Sequence, residues 1–357
     1  MSTRRSIDIP SLVRIKPGAL DRIGIYLARR RFERAALFHS QGLPQPLVDR
    51  ASRSLENEGI DLVGRLEVRD NSVEEAQRIF TSSGGRVDAL IGLGGGKALD
   101  VAKYVGFLLH KPYYSLPASL SNDGFCSPQS SLTVAGARRS LPSRMPFGVV
   151  VDTEVCLQAP KVLWWSGVGD LVAKITAVED WKLAFHAKGT YVDDFAALLS
   201  DSTVFQFMAR PAHDMHGTQL LATALMLNGI AMAVCGSSRP ASGSEHLISH
   251  ALDAHSARPR LHGLQVGTAT YLVAHLQERT DQEQIGRVLD STGFWGAVAR
   301  DPFVREEWIE AIRVAPTLKQ DFHTVLSGGD RLDELVTVID TDPLLAESFR
   351  SGTTRRP

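Results

Sequence analysis

The stretch from Ala89 to Leu109 constrains the possible folds of this chain more than any other part of it. An apolar run at 89–92 has the composition of a buried strand, and a glycine-rich turn leads from it directly into a regular helix at 97–109. Similar strand–helix alternation precedes it, which is typical of a parallel sheet covered by helices on both faces. We therefore predict an α/β N-terminal domain with a parallel sheet. The other candidate strands are 35–38, 61–68, 112–116 and 146–152, and the other candidate helices are 19–31, 46–57 and 72–82.

The glycine-rich turn indicates nucleotide binding. Gly94, Gly95 and Gly96 carry no Cβ atoms, so their backbone N–H groups can approach a diphosphate at the helix N-terminus, where the helix dipole favours an anion. A glycine run alone is equally compatible with a tight structural turn, but its position between a buried strand and a helix favours the nucleotide. The spacing, GxGGGKxxD, differs from the usual dinucleotide fingerprint.

The second half of the chain has a different pattern. From about residue 161, segments with an apolar stripe of period 3.6 follow one another, and no convincing strand interrupts them. A chain of 357 residues suits two domains, because a single core rarely grows beyond roughly 250–300 residues. We therefore predict a nucleotide-binding domain at 1–160 and an all-α domain at 161–357.

The helical half contains a candidate metal site. His246 and His250 are four residues apart, so a helix would place both imidazoles on one face, and His262 follows a Pro/Arg-rich break. Three such histidines can converge on a metal ion, and two satisfied helix histidines with one loop histidine are the plain alternative. Asp170 lies in an otherwise apolar helix, where a carboxylate is costly unless paired or coordinated, although it could simply serve the helix dipole. One aspartate with two histidines leaves an open position on a tetrahedral metal, as in catalytic sites.

Charge, cysteine content and hydropathy limit the expected partners and cellular location of the protein. The formal net charge of -1 gives no electrostatic reason to expect nucleic acid or an anionic membrane as a partner. The three cysteines are widely spaced, which indicates neither a thiolate zinc site nor a disulfide framework. The segment 1–9 lacks the apolar stretch of a signal peptide, and we see no run of about 18 apolar residues. We expect a cytoplasmic protein that binds neither nucleic acid nor membranes, and the sequence leaves a homo-oligomer open.

Five segments together resemble the iron-containing (group III) alcohol dehydrogenase and dehydroquinate synthase superfamily, and especially its glycerol-1-phosphate dehydrogenase branch. The segments occur in family order and span most of the chain. The resemblance implies a dehydroquinate synthase-like architecture, in which a Rossmann-like nucleotide-binding domain precedes a helical domain and the active site lies in the cleft. The segments are GLGGGKALDVAKY at 92–104, SNDGFCSP at 121–128, GVGDLVAKITA at 167–177, SGSEHLISH at 242–250 and LHGLQVG at 261–267.

The resemblance also implies roles for individual residues. It implies a divalent metal held by Asp170, His246 and His262. It matches His250 to a position near the nicotinamide and the substrate, and Asp123 to a substrate contact, so both are predicted catalytic residues. The predicted cofactor-binding residues are Gly94, Gly95, Gly96, Lys97, Asp100, Ser119, Ser121 and His39.

Two departures from the family pattern concern the cofactor. The family loop usually reads Pro-Thr where this chain has Pro117-Ala118, so one hydroxyl contact is lost. No acidic residue follows the strand at 35–38, where NAD enzymes usually hold the ribose 2′-hydroxyl, and His39 and Ser40 stand there instead. We therefore expect NAD(P), with a preference for NADP. Zinc suits an Asp/His₂ donor set, and iron and nickel also accept these ligands.

The predicted function is that of a metal-dependent, NAD(P)-linked dehydrogenase that interconverts a secondary alcohol and a ketone. From the resemblance, the expected substrates are sn-glycerol-1-phosphate and dihydroxyacetone phosphate, or a related polyol or polyol phosphate. One alternative is a dehydroquinate synthase-like cyclase, a lyase that regenerates its NAD within each turnover. Another is a non-catalytic nucleotide-binding protein on the same scaffold.

Overall fold

The chain divides into two compact units, and neither of them is continuous in sequence. The structure is a computed structural model that describes residues 7–83, 87–277, 282–329 and 331–352, so part of the segment without signal-peptide character, residues 1–6, lies outside the described residues. The first unit comprises Met1–Ala159 and Asp214–Val234, and the second comprises Pro160–His213 and Cys235–Pro357. The domain assignment 1–160 and 161–357 stays a prediction.

A parallel sheet forms the centre of the first unit. Within the described residues it has six strands in the order β1-β8-β5-β4-β2-β3, and β6 and β7 form a separate antiparallel hairpin. The central strands β4, β5 and β8 are buried along their whole length, whereas β3 alternates between exposed and covered residues as an edge strand does. The predicted parallel sheet is confirmed. The strands are β1 Leu12–Lys16, β2 Arg34–Ser40, β3 Asp61–Val68, β4 Ala89–Gly94, β5 Tyr113–Pro117, β6 Gln129–Val134, β7 Ala137–Pro142 and β8 Gly148–Asp152.

Helices cover the sheet, and its two faces carry separate apolar cores. One core includes Leu37, Ile91 and Leu116, and the other includes Phe38, Leu90 and Val101. Alternate residues of one strand therefore point into different cores, which explains why the strands β4, β5 and β8 are buried at every position and largely apolar. The helices are α1 Ile23–Ala28, α2 Gln45–Glu56, α3 Val73–Ser82, α4 Gly96–Leu108 and α5 Thr153–Gln158.

The glycine-rich turn lies at the carboxyl end of β4, between its neighbours β2 and β5. Gly94 has φ +139°, and a Cβ atom there would lie 2.1 Å from the Ser40 hydroxyl oxygen at the end of β2. On the other side, the Ala118 N–H donates to the Gly94 carbonyl across 2.9 Å. Only glycine therefore fits at position 94, because both the backbone conformation and the close approach of β2 exclude a side chain.

The helix α8, Met215–Cys235, follows the helices α6, Lys161–Lys188, and α7, Asp194–Met208, yet almost all of it belongs to the first unit. A Cβ atom at Gly229 would lie 1.6 Å from the Cys126 carbonyl oxygen, so the backbones of α8 and the 123–126 turn are in direct contact. By length and composition, α8 could cross a membrane, and 61% of its most apolar window is buried inside the protein. The mostly buried core helix of a globular domain meets the same criteria.

The second unit is helical, as predicted, with one small exception. A two-residue parallel ladder joins β9, Phe303–Val304, to β10, Phe349–Arg350, where the sequence showed no convincing strand. Such a short ladder leaves no periodic pattern in the sequence. The remaining helices are α9 Ser244–His255, α10 His262–Leu276, α11 Gln282–Ser291, α12 Phe294–Ala299, α13 Arg305–Val314 and α14 Leu332–Thr341.

Candidate metal centre

The helices α6 and α10 cross in contact, with glycine on both sides of the crossing. A Cβ atom at Gly169 would lie 2.0 Å from the Gly263 carbonyl oxygen, and one at Gly263 would lie 1.7 Å from the Ser166 carbonyl oxygen. The Gly263 N–H also donates to the Ser166 hydroxyl across 3.1 Å. Because no side chain separates the helices, the residues beside these glycines, Asp170 and His262, face each other.

The third member of the cluster, His246, comes from α9. A tight turn precedes this helix, in which the Ser244 N–H donates to Asp180 Oδ2 across 2.6 Å and the Gly243 N–H donates to Glu245 Oε1 across 2.6 Å. The Val325 N–H donates to the other oxygen of Asp180. Asp180, on α6, thus fixes the start of α9 and with it the position of His246 in the first turn of that helix.

Asp170, His246 and His262 form a cluster with the geometry of a metal site. Their potential ligand atoms all lie within 4.8 Å of one another, and Asp170 Oδ1 is 3.5 Å from His246 Nε2 and 3.8 Å from His262 Nε2. Ligand atoms bound tetrahedrally at about 2.1 Å from zinc would be roughly 3.4 Å apart, so small side-chain movements would complete a site. Asp170 and His246 are buried and His262 is half-buried. The donor types, spacing and burial therefore fit a divalent cation.

Both imidazoles are held in the orientation that a metal ligand needs. His246 Nδ1 is 2.8 Å from Glu245 Oε1, and His262 Nδ1 is 3.2 Å from the Ser249 hydroxyl oxygen. Each ring thus presents Nε2 to the cluster while its other nitrogen is bound by a neighbour, as is usual for metal-ligating histidines. Glu245 has no exposed surface, and the Thr176 hydroxyl donates to its second oxygen across 3.0 Å.

The second oxygen of Asp170 faces a buried cation. Lys174, one turn further along α6, places Nζ 3.4 Å from Asp170 Oδ2 and donates to the Ala241 carbonyl across 3.1 Å. Burial raises the pKa of Asp170, but Lys174 and the two imidazoles outweigh it and lower the pKa well below the ordinary value. The carboxylate is therefore ionised at neutral pH, with Oδ1 directed at the histidines.

His250 lies beside the cluster without belonging to it. Its ring centroid is 6.4 Å from that of His246 and 6.1 Å from that of His262, and it stacks on His262 at an interplanar angle of 27°. His246 and His250, which the sequence places on one helix face, therefore have different positions relative to the cluster. His246 joins Asp170 and His262, and His250 stands next to them, where its predicted role near the substrate remains a prediction.

Several predicted cofactor residues lie at the carboxyl ends of neighbouring strands in the first unit. His39, at the end of β2, is in register with Leu93 of β4, and the glycine turn follows directly. The Gly95 N–H already donates to the Ser40 hydroxyl across 2.9 Å, whereas Lys97 is exposed. Carboxyl ends of parallel strands are where nucleotides bind in such sheets. The half-buried residues Ser119, Ser121 and Asp123 follow β5, the strand on the other side of β4.

Asp100 has structural contacts that the sequence did not predict. Its buried carboxylate lies 3.1 Å from Nζ of Lys103, which donates to the Gly124 carbonyl across 2.8 Å. Burial raises the pKa of Asp100 and Lys103 opposes this shift. The pair thus ties α4 to the turn that carries Asp123, and the predicted contact of Asp100 with a cofactor stays a prediction.

Sequence reasoning missed the residues that support the metal ligands. Glu245 was overlooked because neighbours in sequence do not normally share a helix face, and its contact with His246 depends on the turn at Gly243. The ion pair of Lys174 with Asp170 was likewise missed, although the spacing of four residues is compatible with it.

Comparison with known proteins identifies relatives over most of the chain. A family model described as iron-containing alcohol dehydrogenase matches residues 14–160. The glycerol-1-phosphate dehydrogenase of Aeropyrum pernix is 33% identical over 327 residues, which are 90% of this chain and 92% of the relative. That of Pyrococcus furiosus is 37% identical over 268 residues, 73% of this chain and 75% of the relative.

Solved structures share the fold at lower identity. A probable glycerol dehydrogenase from Sinorhizobium meliloti superposes with a TM-score of 0.75 at 19% identity and covers 96% of this chain and 99% of its own. Glycerol dehydrogenase from Schizosaccharomyces pombe gives a TM-score of 0.72 at 16% identity, covering 97% and 92%. These similarities confirm the predicted architecture.

The helix crossing generates the first prediction. Gly263→Ala should force α6 and α10 apart, because the new methyl would overlap the Ser166 carbonyl, and should cost at least about 1–3 kcal/mol of unfolding free energy along with high-affinity metal binding. Gly296→Ala in α12 is the matched control, since its methyl meets nothing within 4 Å. Thermal unfolding and metal titration of both variants test this. Equal metal affinity in Gly263→Ala and the unaltered protein would show that the crossing does not set the site.

The contact between Glu245 and His246 generates the second prediction. Glu245→Gln keeps the shape of the side chain but removes the charge that holds His246 Nδ1, so metal affinity should fall by about 10–100-fold. Competition with a chelator of known affinity measures the change, and circular dichroism checks folding. An unchanged affinity in a folded Glu245→Gln protein would contradict the orienting role.

Proposed function

The chain belongs to the iron-containing alcohol dehydrogenase family, and we propose that it oxidises a secondary alcohol to a ketone, and reverses this reaction, with NAD(P) and a divalent metal. Its proposed substrates are sn-glycerol-1-phosphate and dihydroxyacetone phosphate, by analogy with the related glycerol-1-phosphate dehydrogenases. The observation that carries the proposal is the buried cluster of Asp170, His246 and His262. Three protein donors leave a coordination position for a substrate, as in catalytic sites.

The residues around the cluster have separate tasks in the proposed reaction. When bound, the cation supplies Lewis acidity at the oxygen of the reacting carbon, and the nicotinamide accepts or donates the hydride. Asp170 would offer one oxygen to the cation, because the other faces Lys174. Glu245 and Ser249 hold the Nδ1 atoms of His246 and His262, so both Nε2 atoms would be available to a cation.

Proton transfer is assigned to His250. Its ring lies against His262, and imidazole titrates near neutral pH, so it can take the hydroxyl proton during oxidation and return it during reduction. Asp123, in the turn at 123–126, is proposed to bind a substrate hydroxyl. Its turn is held by the Asn122 side chain, which accepts from the Gly124 N–H across 2.9 Å, and by Lys103.

The cofactor site is assigned to the carboxyl ends of β2, β4 and β5. The N-terminus of α4 follows the glycine turn and supplies the positive end of a helix dipole for a diphosphate. NADP is the preferred cofactor in this proposal, because His39 and Ser40 occupy the end of β2 where an acid would repel a 2′-phosphate. Zinc is the proposed metal, and iron or nickel are accepted by the same donors.

Removal of a metal ligand tests the proposed function directly. His262→Ala should lower the rate of dihydroxyacetone phosphate reduction by about 10³-fold, since a Lewis-acid contribution of several kcal/mol is lost, and should reduce bound metal in parallel. His255→Ala, an exposed histidine of α9, should leave both unchanged. Wild-type turnover by a metal-depleted His262→Ala enzyme would contradict the proposal. Failure of NAD(P)H to be consumed in proportion to product would instead favour the cyclase.

The cofactor preference gives a further prediction. The unaltered enzyme should use NADPH with a higher kcat/KM than NADH, and His39→Asp should shift the ratio toward NADH by about tenfold or more, because the new carboxylate would repel the 2′-phosphate. Initial rates with each cofactor at a fixed ketone concentration measure the ratio. A ratio that does not respond to His39→Asp would place the adenosine ribose elsewhere.

A further inference from the structure

Two basic side chains lie over one aromatic ring in the second unit, outside the metal-binding cluster. The guanidinium carbon of Arg239 is 3.7 Å from the centroid of the Phe322 ring, and Lys319 Nζ is 4.5 Å from the same centroid. Arg239 is only 5% exposed, and Lys319 is half-buried. The two cations therefore contact the same aromatic ring, in a region with little access to water.

Neither cation is neutralised by a carboxylate within hydrogen-bonding distance. Arg239 donates to the main-chain carbonyls of His323, across 2.7 Å, and of Asp321, across 3.5 Å. Over residues 7–83, 87–277, 282–329 and 331–352, neither Arg239 nor Lys319 makes an ion pair, and Lys319 makes no hydrogen bond. A guanidinium has five N–H donors and an ammonium three, so most donors of the pair are unused.

The two cations also affect each other. Burial and the charge of Arg239 lower the pKa of Lys319, and Glu245 opposes this shift. Burial likewise lowers the pKa of Arg239, against the attraction of Asp180. Glu245 and Asp180 attract the two cations without a hydrogen bond to either, so an anion that accepts hydrogen bonds from both would further relieve their mutual repulsion.

The surrounding charges indicate the kind of anion. Three buried carboxylates, on Asp170, Asp180 and Glu245, are balanced by the cations of Lys174, Arg239 and Lys319. A divalent metal in the cluster would therefore leave this part of the second unit with two positive charges in excess. A phosphate monoester carries about -1.5 to -2 at neutral pH and offers three acceptor oxygens, which complements that excess.

We propose that Arg239 and Lys319 bind the phosphate group of a phosphorylated polyol or ketone substrate. This assignment rests on the proposed function for the identity of the substrate, and on the unused donors for the anion itself. Arg239 gives the planar, multiply donating surface that phosphate oxygens accept from, and Lys319 adds a point charge. The Phe322 ring contacts both cations and leaves their N–H donors available, because it has no oxygen or nitrogen that accepts a hydrogen bond.

The test uses the full-length, metal-loaded protein and inorganic phosphate as the probe. Lys319→Gln should weaken phosphate binding by about 10–100-fold, since a charge-assisted hydrogen bond is lost, and Arg239→Lys should weaken it less. Lys182→Gln, an exposed lysine that pairs with Glu179 in the same unit, is the matched control and should leave binding unchanged. Isothermal titration calorimetry measures binding, and circular dichroism checks that each variant is folded.

Kinetics separate this assignment from the proposed function. Lys319→Gln should raise KM for dihydroxyacetone phosphate by a similar factor, with little change in KM for unphosphorylated dihydroxyacetone. If the unaltered protein binds phosphate through Lys319 but reduces neither ketone, the proposed function fails while the anion site stands. If folded Lys319→Gln protein binds phosphate as tightly as the unaltered protein, Arg239 and Lys319 merely fasten the loop at 321–323, and the assignment is wrong.

Discussion

The second unit depends on one contact between helix backbones, the crossing of α6 and α10. Glycine on both helices lets the carbonyl of Ser166 and the backbone of Gly263 meet with no side chain between them. Small residues permit such a close approach. Here the close approach positions Asp170, which follows Gly169, and His262, which precedes Gly263. A wider crossing would separate the carboxylate from the imidazole by the thickness of a methyl group, which is enough to disrupt coordination.

The carboxylates buried beside the crossing have partners. Lys174 accompanies Asp170, and the backbone N–H groups of Ser244 and Val325 donate to Asp180. Burial and the nearby Glu245 carboxylate still raise the pKa of Asp180 to about 6. Pairing offsets part of the desolvation cost of these buried charges, and the contacts orient the ligands before any metal binds.

The sequence predicted the sheet well, because its signals are local. The run from β4 through the glycine turn to α4 carries strand composition, turn composition and helix periodicity in one continuous stretch. By contrast, α8 groups with the first unit although it lies far along the chain, and no local pattern reveals which core an apolar helix joins. The two-residue strands β9 and β10 are likewise too short to show a period.

For the site, the sequence indicated which residue types were available, and the resemblance indicated their roles. It did not show that Asp100 pairs with Lys103, nor that Glu245 binds His246, because both contacts depend on distances across turns. The spacing of His246 and His250 suits a pair of metal ligands, so only the family resemblance distinguished the predicted ligand, His246, from His250. Arg239 and Lys319 are 80 residues apart in the chain and carried no signal.

X-ray absorption spectroscopy of the protein loaded with one equivalent of zinc tests the central claim most directly. The account predicts only nitrogen and oxygen neighbours at about 2.0–2.2 Å, with multiple-scattering features of two imidazoles, from His246 and His262. Sulfur scattering near about 2.3 Å would contradict it, since that distance requires a cysteine ligand. Imidazole features from fewer than two rings would contradict it as well.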